Sequence, residues 1–295
     1  MEKIHHWKYI VCLQHNERKM ELRLKPERLF LIVSFLLFST TALSQTFTGT
    51  TGLLYMPTAD MQKDKTFLMG GNYLNTNHLS THFHSKEVDY TWNYYINITF
   101  FPWLEIGYTC TLVHADHGSS YFPESVWGTF PNQDRAFNGR LRLWKEGWWK
   151  SWTPQIVLGI DDAGSHEDHG GGEIISGNTT GSNNYATRYY LAATKHFDFN
   201  DIGSLGIHVA YIHGKAKGIP EYKRPAAGAN FRFSLVGNEF YKKVLNGLNL
   251  MTEYDARTFN AGFNYAIWKD RINLTFAWNE CKHFSGGIFF KVHLK

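Results

Sequence analysis

The sequence has few cysteines, few charges and none of the common catalytic motifs. Only 3 of its 295 residues are cysteine and no CxxC pair occurs, so a disulfide framework is not expected and a CxxC metal site is excluded. GxSxG, HExxH and P-loop motifs are also missing. Charged residues make up 19% of the chain, and beyond residue 44 the two signs nearly balance. Nothing in this composition indicates a nucleic-acid partner.

Long apolar runs are also scarce, because residues 29–43 form the only one. Basic residues that include Lys19, Arg23, Lys25 and Arg28 precede this run. The small residues Ala42 and Ser44 follow its core at the spacing that a signal peptidase reads. The fully apolar core is too short for a typical spanning helix. We therefore predict that residues 1–44 are an N-terminal extension with a cleaved signal peptide, with an uncleaved N-terminal anchor as the alternative.

A helical period is missing throughout, whereas a two-residue period recurs from residue 66 to the C-terminus. The stretch YTWNYYINITFFPWLEIGYTCTL, residues 90–112, shows the pattern most clearly. Tyr94, Ile96 and Ile98 alternate there with polar residues, and a break at Pro102 separates two such strands. Twelve segments of this kind predict an all-β fold, and aromatic residues, 16% of the chain, suit such sheets.

The connections between these segments alternate between compact turns and long loops rich in Gly, Asn, Ser and His. Short turns at one rim and long loops at the other are typical of outer-membrane barrels. A soluble β-sandwich also has alternating strands and is the competing interpretation. The signal peptide, strands of bilayer-spanning length and Trp residues near strand ends favour the membrane. We predict a closed antiparallel transmembrane β-barrel of about 12 strands over residues 66–295, in contact with outer-membrane lipid, and preceded by a turn-rich segment, residues 45–65.

In this register charged side chains of both signs face the lumen. They either bridge one another across a narrow interior or form a polar lining for a sugar-like solute or polymer. Tyr95 and Trp144 would add stacking surfaces to such a lining. The predicted charged set is Asp89, Glu105, Arg140, Arg142, Asp161, Arg188, Arg232, Glu253 and Asp255.

Two predicted loops concentrate groups that can bind metals. HADH, residues 114–117, and HEDHGGGE, residues 166–173, combine His with carboxylates. A metal site needs ligands fixed by a rigid shell, and these Gly-rich loops offer little of one. We therefore predict neither a metal nor a cofactor.

Five stretches, in order along the chain, carry a family resemblance: GTTGLLYMPTADM (49–61), NQDRAF (132–137), IVLGIDDAG (156–164), YYLAATKHF (189–197) and MTEYDARTFNAGFNY (251–265). With them, residues 47–295 resemble the YjbH-like family of outer-membrane proteins, which is associated with exopolysaccharide production. The resemblance implies an outer-membrane location and a role in exopolysaccharide export or assembly, with no catalytic residue. The residues that it marks as candidates are Asp134, Arg135, Asp161, Asp162, Glu253 and Asp255.

The leading hypothesis is a non-enzymatic outer-membrane barrel that assists export, assembly or anchoring of exopolysaccharide, with other export-machinery proteins as partners. In it, loops 114–133 and 162–184 gate the outer mouth. A small-solute porin is the second hypothesis. An outer-membrane hydrolase that depends on His166 or His169 is the third. The sequence leaves open whether the segment before the first strand plugs the lumen or lies beneath it.

Overall fold

Twelve antiparallel strands form one closed barrel. The computed structural model describes residues 43–75, 91–113, 132–163, 188–214 and 224–294. Each strand pairs with its sequence neighbours, and the last closes on the first, so no strand edge is left unpaired. The prediction of a closed 12-strand antiparallel barrel is therefore confirmed. The strands are β1 (Thr66–Leu74), β2 (Thr91–Phe101), β3 (Leu104–Val113), β4 (Asn132–Trp144), β5 (Gln155–Ala163), β6 (Arg188–Phe199), β7 (Gly203–His213), β8 (Pro225–Phe233), β9 (Leu248–Tyr254), β10 (Phe259–Ile267), β11 (Ile272–Asn279) and β12 (His283–His293).

The connections divide the barrel into two rims. At the short-turn rim, β2 and β3 are joined through Pro102 and Trp103, and β10 and β11 through residues 268–271. The strand ends on either side of the long connections, such as Leu74, Thr91, Val113 and Asn132, are at the opposite rim. The predicted gating loops and both His-rich motifs are outside the described residues, apart from strand ends. The predicted presequence likewise lies outside them, except for Leu43 and Ser44.

The outer surface of the barrel is apolar and its interior is polar. Along β2, Tyr94 and Ile96 are 51% and 49% exposed, while Asn93 and Asn97 are 0% and 1% exposed. This is the reverse of a sandwich, in which the apolar face is covered. In the described strands, the side chains predicted to face outward do so, whereas one residue predicted to face inward, at a bulge in β4, does not.

That residue is Trp144, which the two-residue period assigns to the lumen. The pairing of β4 with β5 shifts between Arg142 and Trp144, as at a β-bulge. An extra residue at this point breaks the alternation, so that Leu143 and Trp144 are both exposed, by 48% and 37%. Trp144 packs against Trp148, with ring centroids 5.1 Å apart. The prediction for Trp144 is therefore wrong, whereas Tyr95 faces inward and is 3% exposed.

Exposed aromatic side chains gather near both rims. Trp103, Trp148, Trp149 and Trp152 lie in turns of the short-turn rim and are 47–68% exposed. Trp92 and Trp278 lie close to the long-loop rim. Two such belts, separated by an aliphatic band, are typical of barrels whose ends meet the bilayer interfaces.

One short helix, which the sequence does not predict, interrupts the all-β pattern. Helix α1 (Phe240–Asn246) lies in the connection between β8 and β9, and none of its residues is buried. Seven residues make only two turns and pack no apolar stripe against the barrel, so no helical period marks them in the sequence. Among the described residues, no helix has the length and apolar character needed to cross a membrane.

Candidate functional site

The segment before β1 lies inside the barrel. Residues 43–62, here called the luminal segment, are buried except for Leu43 and Thr48, which are partly exposed. Isolated bridges between Gln45 and Thr51, and between Gly52 and Pro57, fold the segment into compact turns. Of the two placements that the sequence left open, the structure therefore shows the one within the lumen.

Apolar side chains of the luminal segment form the main core of the molecule. Phe47, Leu53, Leu54 and Met56 are at most 2% exposed. They cluster with inward-facing barrel residues that include Val157, Tyr190, Ala192, Met251 and Ala277. Hydrophobic burial inside this barrel thus depends on the luminal segment filling it.

Gly49 permits the close approach of the segment to the barrel wall. Its φ of +82° is in the left-handed region, and a Cβ added there would lie 2.5 Å from the ring of Tyr95. Any other residue would meet both backbone strain and a clash.

Glu253 of β9 holds the middle of the luminal segment through consecutive backbone amides. Its carboxylate accepts hydrogen bonds from the N–H groups of Leu54, Tyr55 and Met56 at 3.0, 2.8 and 3.1 Å. Asn260 Nδ2 donates a fourth at 3.2 Å. The segment has no regular structure here, so these amides have no strand or helix partner, and the carboxylate takes that place.

Glu105 and Arg140 form a second, fully buried attachment. Arg140 Nη1 lies 3.0 Å from Glu105 Oε2, and both side chains are 0% exposed. Glu105 also accepts hydrogen bonds from the backbone N–H and the hydroxyl of Thr51, both at 2.8 Å. Arg140 Nη2 donates to the carbonyl oxygen of Asp60 at 2.9 Å and to that of Thr58. The ion pair therefore joins two strands and two points of the luminal segment.

A third attachment lies near the long-loop rim. Arg188 Nε lies 2.7 Å from Asp161 Oδ2, and Arg188 Nη1 donates to the Tyr55 carbonyl oxygen at 2.8 Å. The Tyr55 hydroxyl reaches Ser285 Oγ at 3.1 Å on the far side of the barrel. Tyr55 thus spans the lumen between β6 and β12.

Inward-facing amides and a hydroxyl bind the first turn of the segment through its carbonyl oxygens. Asn97 Nδ2 donates to Gly49 at 3.0 Å, and Thr109 Oγ1 donates to Thr48 at 2.6 Å. Further donors of the same kind are Asn72 and Asn93 to Phe47, and Asn138 to Thr48.

Asp60 ends the luminal segment in a charged cluster at the short-turn rim. Gln155 Nε2 donates to its Oδ1 at 2.6 Å, His196 Nε2 lies 3.4 Å from the same atom, and Arg232 Nη2 lies 3.6 Å from its Oδ2. Burial raises the pKa of the Asp60 carboxyl, but His196 and the nearby charges of His208 and Arg232 outweigh it and hold the pKa well below its usual range.

Glu146, in the turn between β4 and β5, extends this cluster. Its carboxylate is 2.7 Å from both Lys195 Nζ and His196 Nδ1. Partial burial raises the pKa of Glu146, but the hydrogen bonds from Lys195 and His196 outweigh it and the pKa stays below its usual value. The turn is thereby fixed against β6.

A family model described as "Exopolysaccharide biosynthesis protein YbjH" matches residues 44–295, a range that contains the luminal segment and the whole barrel. The chain belongs to the YjbH family. Among curated relatives, the "Uncharacterized lipoprotein YjbH" of Escherichia coli (strain K12) is 32% identical over 121 residues, which are 41% of this chain and 15% of that protein. Among solved structures, the crystal structure of Pseudomonas aeruginosa OccK11 (OpdR) is similar to this chain with a TM-score of 0.25 and 8% sequence identity. The match covers 78% of this chain and 67% of the OccK11 chain. This structural similarity is too weak to carry an argument.

Five of the candidate residues of this YjbH-family chain lie on or next to the luminal segment. Arg140, Arg188 and Glu253 bind it directly, Asp161 pairs with Arg188, and Arg232 lies near Asp60. The two-residue period predicts that these side chains face the lumen, but it does not predict that they share the luminal segment as a partner.

The other five candidates have different surroundings. Asp255 accepts hydrogen bonds from the backbone N–H groups of Arg257 and Thr258 and so caps its own turn. Asp162 has a left-handed φ of 60°, and its N–H donates to Asn138. Arg142 is half-buried and Arg135 is exposed. Asp134 lies in β4, but its side chain, like the whole of Asp89, is outside the described residues.

Sequence reasoning gave no role to Asp60 or His196, although both lie within stretches that resemble the YjbH-like family. The family resemblance therefore includes both residues, but nothing in the sequence indicates that they contact each other. Within the described ranges, no group of three or more His, Cys, Asp or Glu side chains is arranged to hold a metal ion.

Proposed function

We propose that this chain is a non-enzymatic outer-membrane β-barrel that assists export, assembly or anchoring of exopolysaccharide. The observation that carries the proposal is a closed barrel with an apolar exterior and a lumen filled by the chain's own luminal segment. Membership of a family described by exopolysaccharide biosynthesis supports the role. Outer-membrane lipid, exopolysaccharide and other export proteins are the partners that it implies.

The apolar exterior supports placement in a bilayer. Side chains such as Ile96, Leu158 and Leu191 are 48–49% exposed in mid-strand positions. An apolar band that surrounds the whole molecule is much larger than the patches of soluble monomers. Hydrocarbon solvates such a band, and closure satisfies every strand edge, as lipid requires.

The filled lumen disfavours the small-solute porin. Buried carboxylates and guanidinium groups bind the luminal segment from opposite sides of the barrel, and a diffusive pathway would require the segment to leave. A barrel closed in this way suits a component that engages a polymer or partner proteins at its rims.

A deletion strain tests the proposed role. Loss of the gene is expected to reduce surface exopolysaccharide, and complementation with the full chain is expected to restore it. Quantification of released and cell-bound polysaccharide measures both. Unchanged amounts of both fractions in the deletion strain would contradict the role.

The placement in lipid is tested by Ile96→Arg at the centre of β2. An arginine at the bilayer midplane is expected to destabilise the barrel by about 2–4 kcal/mol, because its charge loses hydration. Phe100→Arg, at the same face near the short-turn rim, is expected to cost only about 0–1 kcal/mol. Denaturant titration in phospholipid vesicles measures both values. Equal costs at the two positions would show that hydrocarbon does not surround this strand.

A further inference from the structure

A cavity of about 650 Å³ opens at the short-turn rim, beside the end of the luminal segment. It lies between the ends of β6 and β8, the starts of β7 and β9, and the turn that carries Glu146. Its volume is within the range of sites that bind small molecules. Arg232, Lys195 and Asp198 provide charge, and Phe233, Leu235 and Leu248 complete the lining.

Arg232 is a lining residue whose guanidinium makes no hydrogen bond to the described residues. Its side chain is 16% exposed, and its closest carboxylate oxygen, on Asp60, is 3.6 Å away, beyond hydrogen-bond distance. Its Nε is buried and has no hydrogen-bond partner among the described residues. A mostly buried guanidinium without hydrogen bonds is costly, and a planar acceptor such as a carboxylate matches its geometry best.

The remaining polar groups of the lining favour a ligand that carries hydroxyl groups next to its carboxylate. Glu146 is already engaged by Lys195 and His196, whereas the carboxylate of Asp198 is exposed and can accept hydrogen bonds from hydroxyls. Asn249 Nδ2 is a second donor without a partner in the described part of the chain. Two carboxylates in the lining disfavour a dianionic phosphate, but they suit a singly charged group flanked by hydroxyls.

We propose that this cavity binds a saccharide segment that bears a carboxylate, with Arg232 as the anchor of the carboxylate and Asp198 and Asn249 as hydrogen-bond partners of the neighbouring hydroxyls. The inference rests on the proposed function, since it names the chemistry of the polymer that the barrel would engage. It places polymer contact at the short-turn rim and not within the filled lumen.

The test is calorimetric titration of the full chain in detergent with three probes. Tetragalacturonate is expected to bind, maltotetraose to bind about tenfold more weakly or not at all, and inorganic phosphate not to compete. This comparison needs no variant, so it does not depend on the folding of one. Equal binding of the neutral and acidic tetrasaccharides, no binding of the acidic one, or competition by phosphate would each overturn the proposal.

Two variants locate the site. Arg232→Met is expected to weaken tetragalacturonate binding about tenfold, and Arg232→Lys, which keeps the charge beside Asp60, to weaken it by a smaller factor. Arg135→Met, an exposed arginine of β4 outside the cavity lining, is the matched control and is expected to bind as the parent does. Parent-like binding by both Arg232 variants would overturn the assignment. If the parent binds tetragalacturonate but the deletion strain has no polysaccharide defect, the proposed function alone is refuted. If the deletion strain has the defect but the parent does not bind tetragalacturonate, the proposed site alone is refuted.

Discussion

Arg140→Met is expected to destabilise the barrel by about 3–5 kcal/mol, because it leaves the Glu105 carboxylate buried without its countercharge. Both side chains are fully buried, so water does not replace the lost partner without rearrangement. The substitution also removes the donor to the carbonyl oxygens of Thr58 and Asp60. Denaturant titration of the refolded protein in phospholipid vesicles measures the loss.

The double variant Glu105→Gln/Arg140→Met separates charge from packing. Removal of both charges is expected to recover much of the loss, since the neutral amide no longer needs a countercharge. Its oxygen still accepts the hydrogen bond from the Thr51 N–H, and its NH2 group donates to the Thr51 hydroxyl. Arg135→Met is again the surface control, expected within about 0.5 kcal/mol of the parent. A single Arg140→Met variant as stable as the parent would show that the pair does not hold the luminal segment.

The outer face of the barrel was predictable from sequence because apolar outward residues alternate with polar inward residues along each strand. Ile96, Leu158 and Phe263 each occupy an outward position that the two-residue period assigns. The period fails at Trp144, where a bulge inserts one residue and turns the side chain outward. This bulge depends on how β4 pairs with β5, and the alternation of residues along β4 carries no information about that pairing.

The interior was predictable only in part. Inward charges such as Arg140 and Glu253 follow from the register, but their partners do not, because these belong to a segment without periodicity. The luminal segment is folded by side chains from distant strands: Glu253 binds Tyr55 across 198 positions of sequence. Propensity and patterning are local signals and carry no information about such pairs.

Glu253→Ala is expected to release the middle of the luminal segment and raise ion conductance through the barrel. The change leaves the N–H groups of Leu54, Tyr55 and Met56 without their acceptor in a buried site. Each unpaired buried amide costs about 1–3 kcal/mol, so the segment loses a large part of its attachment. The strand ladder is unchanged, so we expect local release of the segment and not unfolding of the barrel. Planar-bilayer recording measures the effect, with a silent parent and open events in the variant.

Asp255→Asn is the matched control, because its carboxylate lies two residues along the chain from Glu253 and caps its own turn. It is expected to leave the barrel silent, whereas Glu253→Gln, which keeps one acceptor oxygen, is expected to open less often than Glu253→Ala. Limited proteolysis adds a second readout, since a released segment exposes the peptide bonds around Tyr55 to protease. A Glu253→Ala barrel that stays silent and protected would mean that the attachments at Arg140 and Arg188 suffice to hold the segment. A parent that conducts would mean that the segment does not block the lumen, because a filled interior and free ion flow exclude each other.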